Sequence, residues 1–232
     1  MVMKLLLLAF AAAVVWSSAL VSAQPNFQFY KLSLQWPNSI CLQAQCITPV
    51  PNLFTIHGLW PTFGNDAPVL PYHPHNNRCF NNPRSPAQAM AAVAPIVAGL
   101  NAKWPTLQMP GHNPTFWQIE WRRHGMCSDY GANPLNYFTV ALNLANNNAY
   151  DPFTAMGVQP SNTPHRVGTL LANVRAHLGV DPQIACWWIG NQRYLAEFRL
   201  CFARATPPVQ LQNCPNTLDR ACTNPNQYVL IP

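Results

Sequence analysis

The sequence predicts an α+β domain, and three observations carry that prediction. Polar-residue–proline pairs that start helices crowd the middle of the chain. Apolar and aromatic strand-like runs lie towards both ends, which argues against an alternating βαβ order. Eight cysteines and 24 prolines among 232 residues point to a loop-rich domain held by covalent links.

In chain order, Lys4 followed by the apolar run from Leu5 to Val15 and the small residues Val21-Ser22-Ala23 reads as a secretory leader over 1–23. The run is short for a bilayer span. The expected product is an exported, soluble chain with one domain over 24–232 and no membrane association. Phe27 to Trp36 suits a strand stopped by Pro37, and Leu53 to His57 a buried strand ended by Gly58. Ser85-Pro86, Asn113-Pro114, Asn133-Pro134 and Thr163-Pro164 each pair a capping side chain with a proline suited to a first helical turn. The last of these helices should end near Leu178, with Gly179 as a left-handed stop. Cys186 to Ile189, Tyr194 to Phe202 and Gln227 to Ile231 are further strands. In the second of these, Tyr194, Ala196, Phe198, Leu200 and Phe202 share one face, with Glu197 and Arg199 on the other.

Composition excludes a disordered polar chain: 49% of residues are hydrophobic and only 9% charged. Apart from Lys4, every charged residue lies beyond the leader, so the net basic character, with a pI near 9.0, belongs to the domain. That favours polyanionic partners without identifying one. In an oxidising compartment Cys41, Cys46, Cys79, Cys127, Cys186, Cys201, Cys214 and Cys222 should form four disulfides, with 105 pairings open. No cysteine pair has zinc-knuckle spacing, and His73 and His75 sit beside Pro71 and Pro74 in a loop, so no metal site is expected.

Two segments carry chemistry. Phe54-Thr55-Ile56-His57-Gly58-Leu59-Trp60-Pro61 ends a strand in histidine, glycine, tryptophan and proline. Phe116 to Cys127 places Glu120, Arg123 and His124 at helical spacings of three and four, so they can point into one site. Two imidazoles, a carboxylate and a guanidinium suit phosphoryl chemistry. One imidazole takes a proton from an attacking hydroxyl, the other gives one to the leaving oxygen, and arginine meets the growing negative charge.

These two segments, in this order and with the second ending in Cys127, resemble the active-site motifs of the ribonuclease T2 family. Phe27-Gln28-Phe29 through Gln35-Trp36-Pro37, then Cys41, resembles the family's amino-terminal strand, and the cysteines fall as in its plant branch. The resemblance implies a central antiparallel sheet with helices packed on it and the disulfides Cys41–Cys46, Cys79–Cys127, Cys186–Cys222 and Cys201–Cys214. It implies RNA cleavage through a 2′,3′-cyclic phosphate, with His124 as base on the 2′-hydroxyl and His57 as acid on the 5′-oxygen. Glu120 and Arg123 would stabilise the pentacoordinate phosphorus, without metal or cofactor. Gln35 and Phe116 match positions that line a base pocket in plant relatives. Trp60 either stacks on a base or packs beneath the loop.

Four departures from the family pattern stand out. Ile119 replaces a histidine found in many members, Arg123 a lysine, Met126 a threonine, and Thr62 an acidic base-reading residue. Within the plant branch, the basic pI, the leader and the loop from Tyr72 to Asn82 in the variable region suggest a pistil self-incompatibility ribonuclease, an S-RNase. Such a protein would act as a monomer and meet a pollen F-box recognition protein. Against this, the chain lacks a usable glycosylation sequon, since Asn113-Pro114-Thr115 is blocked by proline. The alternatives are a general extracellular, vacuolar or defence ribonuclease, and a catalytically weak defence or storage protein on the same scaffold.

Overall fold

The computed structural model describes residues 25–80 and 82–232, so the leader read over 1–23 lies outside the described residues. The elements are β1 (Phe29–Gln35), α1 (Pro37–Ile40), β2 (Thr55–Thr62), α2 (Pro86–Ala92), α3 (Val97–Lys103), α4 (Asn113–Arg123), α5 (Pro134–Ala145), α6 (Pro152–Met156), β3 (Ser161–Arg166), α7 (Val167–Leu178), β4 (Gln183–Ile189), β5 (Gln192–Ala203), β6 (Leu211–Gln212), β7 (Leu218–Arg220) and β8 (Tyr228–Ile231). Helices fill the middle and strands both ends, as an α+β chain should. The sheet runs β2-β1-β5-β4-β7, with β6 and β8 also joined to β5. It is antiparallel at its centre, while β4–β7 and β5–β8 pair in parallel.

One sheet face is apolar. Tyr30, Leu32 and Leu34 of β1 and Phe198, Leu200 and Phe202 of β5 are all nearly inaccessible and join one core with helix side chains such as Trp117, Trp121, Tyr137 and Phe138. The alternate residues make the other face polar yet still buried: Lys31, Ser33 and Gln35 of β1, Glu197 and Arg199 of β5, and Gln183 of β4. The sequence pattern placed Glu197 and Arg199 on the polar face correctly. It misplaced Ala196 and Tyr194, because the register shifts between Ala185 and Cys186, leaves Ala196 as an extra residue and turns Leu195 instead of Tyr194 into the core. Ala196 therefore packs with Ile40 and Leu107, away from the main core.

Two helix starts and one helix end match their cues. Ser85 caps α2 in a reciprocal capping box with Gln88, Asn133 caps α5, and Gly179 ends α7 at φ 74°. Asn113 opens α4 from the first helical position instead of capping it, with His112 as the flanking residue. Its side chain accepts from Thr106 N at 2.8 Å, tying the helix to the preceding loop. Thr163-Pro164 corrects the reading, since it lies in β3 and α7 begins at Val167. The β3–β8 register is irregular between Ser161 and His165, so Pro164 falls where no ladder hydrogen bond is required. The strand read as ending before Gly58 runs on to Thr62. It is the sheet's edge, which tolerates Pro61. The cue was also present at Asp151-Pro152, where Asp151 caps α6.

Disulfides join Cys41–Cys46, Cys79–Cys127, Cys186–Cys222 and Cys201–Cys214. Among the described residues no helix is long and apolar enough to cross a membrane.

Candidate active site

A β-bulge sets the position of His57. Against β1, Ile56 pairs with Leu34 and Gly58 with Ser33, so His57 is the extra residue. Leu59 then pairs with Leu32 and returns to the core, while Trp60 pairs with Lys31 on the polar face. Strict alternation would have sent Leu59 to the site and Gly58 to the core. The bulge is anchored by Trp104, whose indole donates to His57 O at 3.0 Å, and Trp117 in turn donates to Trp104 O at 2.7 Å. These buried tryptophans are framework, with their N–H groups satisfied.

Helix α4 supplies the facing wall. Phe116, Glu120 and His124 recur every four residues, and Trp117 and Trp121 root the helix in the core. Gly125 lets it end there, because a Cβ at that position would lie 2.1 Å from the Trp121 ring. His124 Nε2 is 3.9 Å from Glu120 Oε2. The indole of Trp60 donates to the same Glu120 oxygen at 3.1 Å, and its ring lies 5.2 Å from that of His57 and 5.4 Å from that of His124. Trp60 is thus a spacer packed between the two imidazoles. Gly58 makes that approach feasible, since a Cβ there would sit 2.1 Å from Trp60 Nε1 and 2.3 Å from Glu120 Oε2.

The structure brings His57, Trp60, Glu120 and His124 together. Arg123 is exposed on α4, and its charge lowers the pKa of Glu120 and His124 without an ion pair to either. Gln35 and Phe116 line a cavity of about 250 Å³ with His57, Leu107, Trp187 and Arg220. Ile119 is half-buried on α4, and Thr62 is buried, its hydroxyl donating to Trp60 O. Nothing in the structure explains Met126 beyond its burial.

Glu197 and Arg199 were read from the sequence only as a polar strand face, yet they complete the cluster. His57 Nδ1 lies 3.0 Å from Glu197 Oε1. Arg199 grips Glu197 Oε2 at 2.6 Å, Ser33 donates to that oxygen at 2.8 Å, and Arg199 also reaches Gln183 and Asp219 at 2.7 Å. A charged i,i+2 pair set between apolar neighbours in a strand was the available signal, because buried charges require partners.

The electrostatics of the two histidines diverge. Burial disfavours the charged form of His57, but the Glu197 carboxylate outweighs it and raises the pKa above the ordinary 6.5. His124 is pushed down to about 3 by burial, by His57 and by Arg123. Burial raises Glu120 above the usual carboxylate range despite His57, Trp60 and Arg123. Burial also opposes the charge on Glu197, yet His57, Arg199 and Arg220 hold it well below that range. Near neutrality the site therefore pairs a proton-accepting His124 with a His57 inclined to keep its proton.

Comparison with known proteins places this arrangement. The profile of the Ribonuclease T2 family matches residues 27–214. Extracellular ribonuclease LE of Solanum lycopersicum is 30% identical over 176 residues, covering 72% of each chain. The solved structure of ribonuclease MC1 from bitter gourd seeds superposes with a TM-score of 0.71 at 24% identity, over 88% of this chain and 100% of that one. The self-incompatibility associated SF11-RNase of Nicotiana alata gives a TM-score of 0.68 at 21% identity, over 89% of this chain and 99% of that one.

Proposed function

This chain belongs to the ribonuclease T2 family, and from that membership we propose that it is an exported endonuclease of single-stranded RNA working in the pistil as an S-RNase. The observation that carries the catalytic reading is the opposite protonation bias of two imidazoles held either side of Trp60. Neutral His124 takes the proton of the ribose 2′-hydroxyl as that oxygen attacks phosphorus. The bond to the 5′-oxygen breaks, and His57 gives its proton to the leaving oxygen. A 2′,3′-cyclic phosphate results. In the second step the roles reverse: His57 takes a proton from water as its oxygen attacks phosphorus, the bond from phosphorus to the 2′-oxygen breaks, and His124 returns its proton to that oxygen.

Glu120 lies beside His124, and burial raises its pKa, which weakens the repulsion a carboxylate would exert on a phosphate oxygen there. Arg123 supplies positive charge at longer range. The requirement for a 2′-hydroxyl restricts the reaction to RNA.

Export draws support from the leader pattern and the extracellular relative, and the pistil role from the basic pI, the leader and the loop from Tyr72 to Asn82. The catalytic reading is tested by digesting RNA with the purified protein and identifying product ends. Cyclic phosphates support it, and 5′-phosphate ends or intact RNA overturn it. The biological reading is tested by comparing transcripts in style and leaf. Strong expression confined to the style supports it, and general expression favours the extracellular housekeeping alternative.

A further inference from the structure

A second groove, of about 540 Å³, opens beside the cavity next to His57. Trp187 and Arg220 line both, so the two adjoin. Its outer wall is Trp188, which is 49% exposed, an unusual fraction for so large an apolar ring. The guanidinium of Arg193 lies over that indole at 4.1 Å, and its Nε donates to Ala221 O at 3.0 Å, which fixes its plane. The guanidinium of Arg220 lies 5.5 Å from the ring of Trp187.

The backbone is arranged to keep Arg220 there. It is one of three described non-glycine residues with positive φ, at 59°, a conformation that persists only where its surroundings enforce it. Asp219 Oδ1 accepts its N–H at 2.8 Å, and the Cys186–Cys222 disulfide ties the turn to β4 at the groove floor. The nearby carboxylates are engaged elsewhere: Asp219 with Arg199 at 2.7 Å, and Glu197 with Arg199 and His57. Arg220 approaches them only at 3.6 and 3.9 Å, and its side chain is 38% exposed, so its donors are available.

We propose that this groove binds the second nucleotide downstream of the scissile bond of single-stranded RNA. Its base stacks on the Trp188–Arg193 pair and its phosphate meets Arg220. Flat aromatic and guanidinium surfaces accept any base, and a cation at the junction suits the linking phosphate. The inference rests on the ribonuclease reading, which fixes direction: the acid His57 faces the leaving nucleotide, so the cavity beside it takes that nucleotide and the groove takes the next. Neither Trp188 nor Arg193 touches the catalytic cluster.

The test compares three oligonucleotides with a single ribose at the cleaved linkage: a dinucleotide, the same extended by one deoxynucleotide on the 3′ side, and the same extended on the 5′ side. The 3′ extension should raise kcat/KM about fivefold or more, mainly through KM, and the 5′ extension should not. In Trp188→Ala the ratio of 3′-extended to dinucleotide kcat/KM should fall to near one. Trp188→Phe should keep most of the ratio, and Arg193→Gln should lower it. An equal gain from both extensions, or a 3′ gain that survives Trp188→Ala and Arg193→Gln, overturns the groove. If the wild-type protein cuts none of the three, the ribonuclease reading itself fails.

Discussion

His57 Nδ1 lies 3.0 Å from Glu197 Oε1, an interaction across the sheet between residues 140 positions apart. Arg199 holds the other oxygen of that carboxylate at 2.6 Å. The imidazole is therefore oriented through one nitrogen, leaving Nε2 for the substrate. The relation resembles the way a buried carboxylate fixes the tautomer and orientation of a catalytic histidine elsewhere.

Glu197→Gln keeps the shape and removes the charge. Burial then acts on His57 with only the Glu120 carboxyl left to oppose it, and its pKa falls. His57 acts as the acid, so the alkaline limb of the kcat/KM profile should move to lower pH, with most activity kept in acid. An unmoved alkaline limb in a folded variant would show that Glu197 does not govern this proton.

In the wild-type protein, kcat/KM should rise through the low-pH range as His124, held near 3, loses its proton. It should decline only above the ordinary imidazole range, as His57 loses its own. The profile should thus be broad and centred on the acid side. His57→Ala and His124→Ala should each cost roughly 10²–10⁴-fold in rate. Activity should also survive EDTA, since these side chains carry both proton transfers. Recovery of a chelated enzyme by a divalent ion would refute that scheme.

Gly58→Ala adds a Cβ within 2.3 Å of both Trp60 and Glu120. Trp60 cannot retreat without disturbing both imidazoles. We expect destabilisation of about 1–3 kcal/mol together with a large fall in kcat, read by thermal melting and steady-state kinetics. A variant with wild-type melting and rate would show that the spacer position of Trp60 is dispensable.

Removing the Cys79–Cys127 bridge should destabilise more than removing Cys41–Cys46. The first spans 48 residues and the second 5. Loop entropy assigns them about 4 and about 2 kcal/mol. Paired cysteine-to-alanine variants and denaturant titrations measure the difference, and equal losses would show that native-state contacts outweigh chain entropy.

Much of the protein was legible in its residues. Capping side chains beside prolines, at Ser85 and Asn133, act within three or four residues, so local sequence is enough to specify them. The Glu120–His124 pairing follows from helical periodicity alone, as does the apolar face of Phe198, Leu200 and Phe202 from strand alternation. Other features depend on partners remote in the chain. The bulge at His57 exists only against the register of β1, and the one at Ala196 only against β4. Thr163-Pro164 serves a strand because β8 is present to pair with it. The role of Glu197 is invisible until folding closes 140 residues to set it beside His57. Short-range cues thus determined the elements and named both histidines. The protonation of those histidines was decided by the tertiary structure, because burial and opposing charge are properties of an assembled interior.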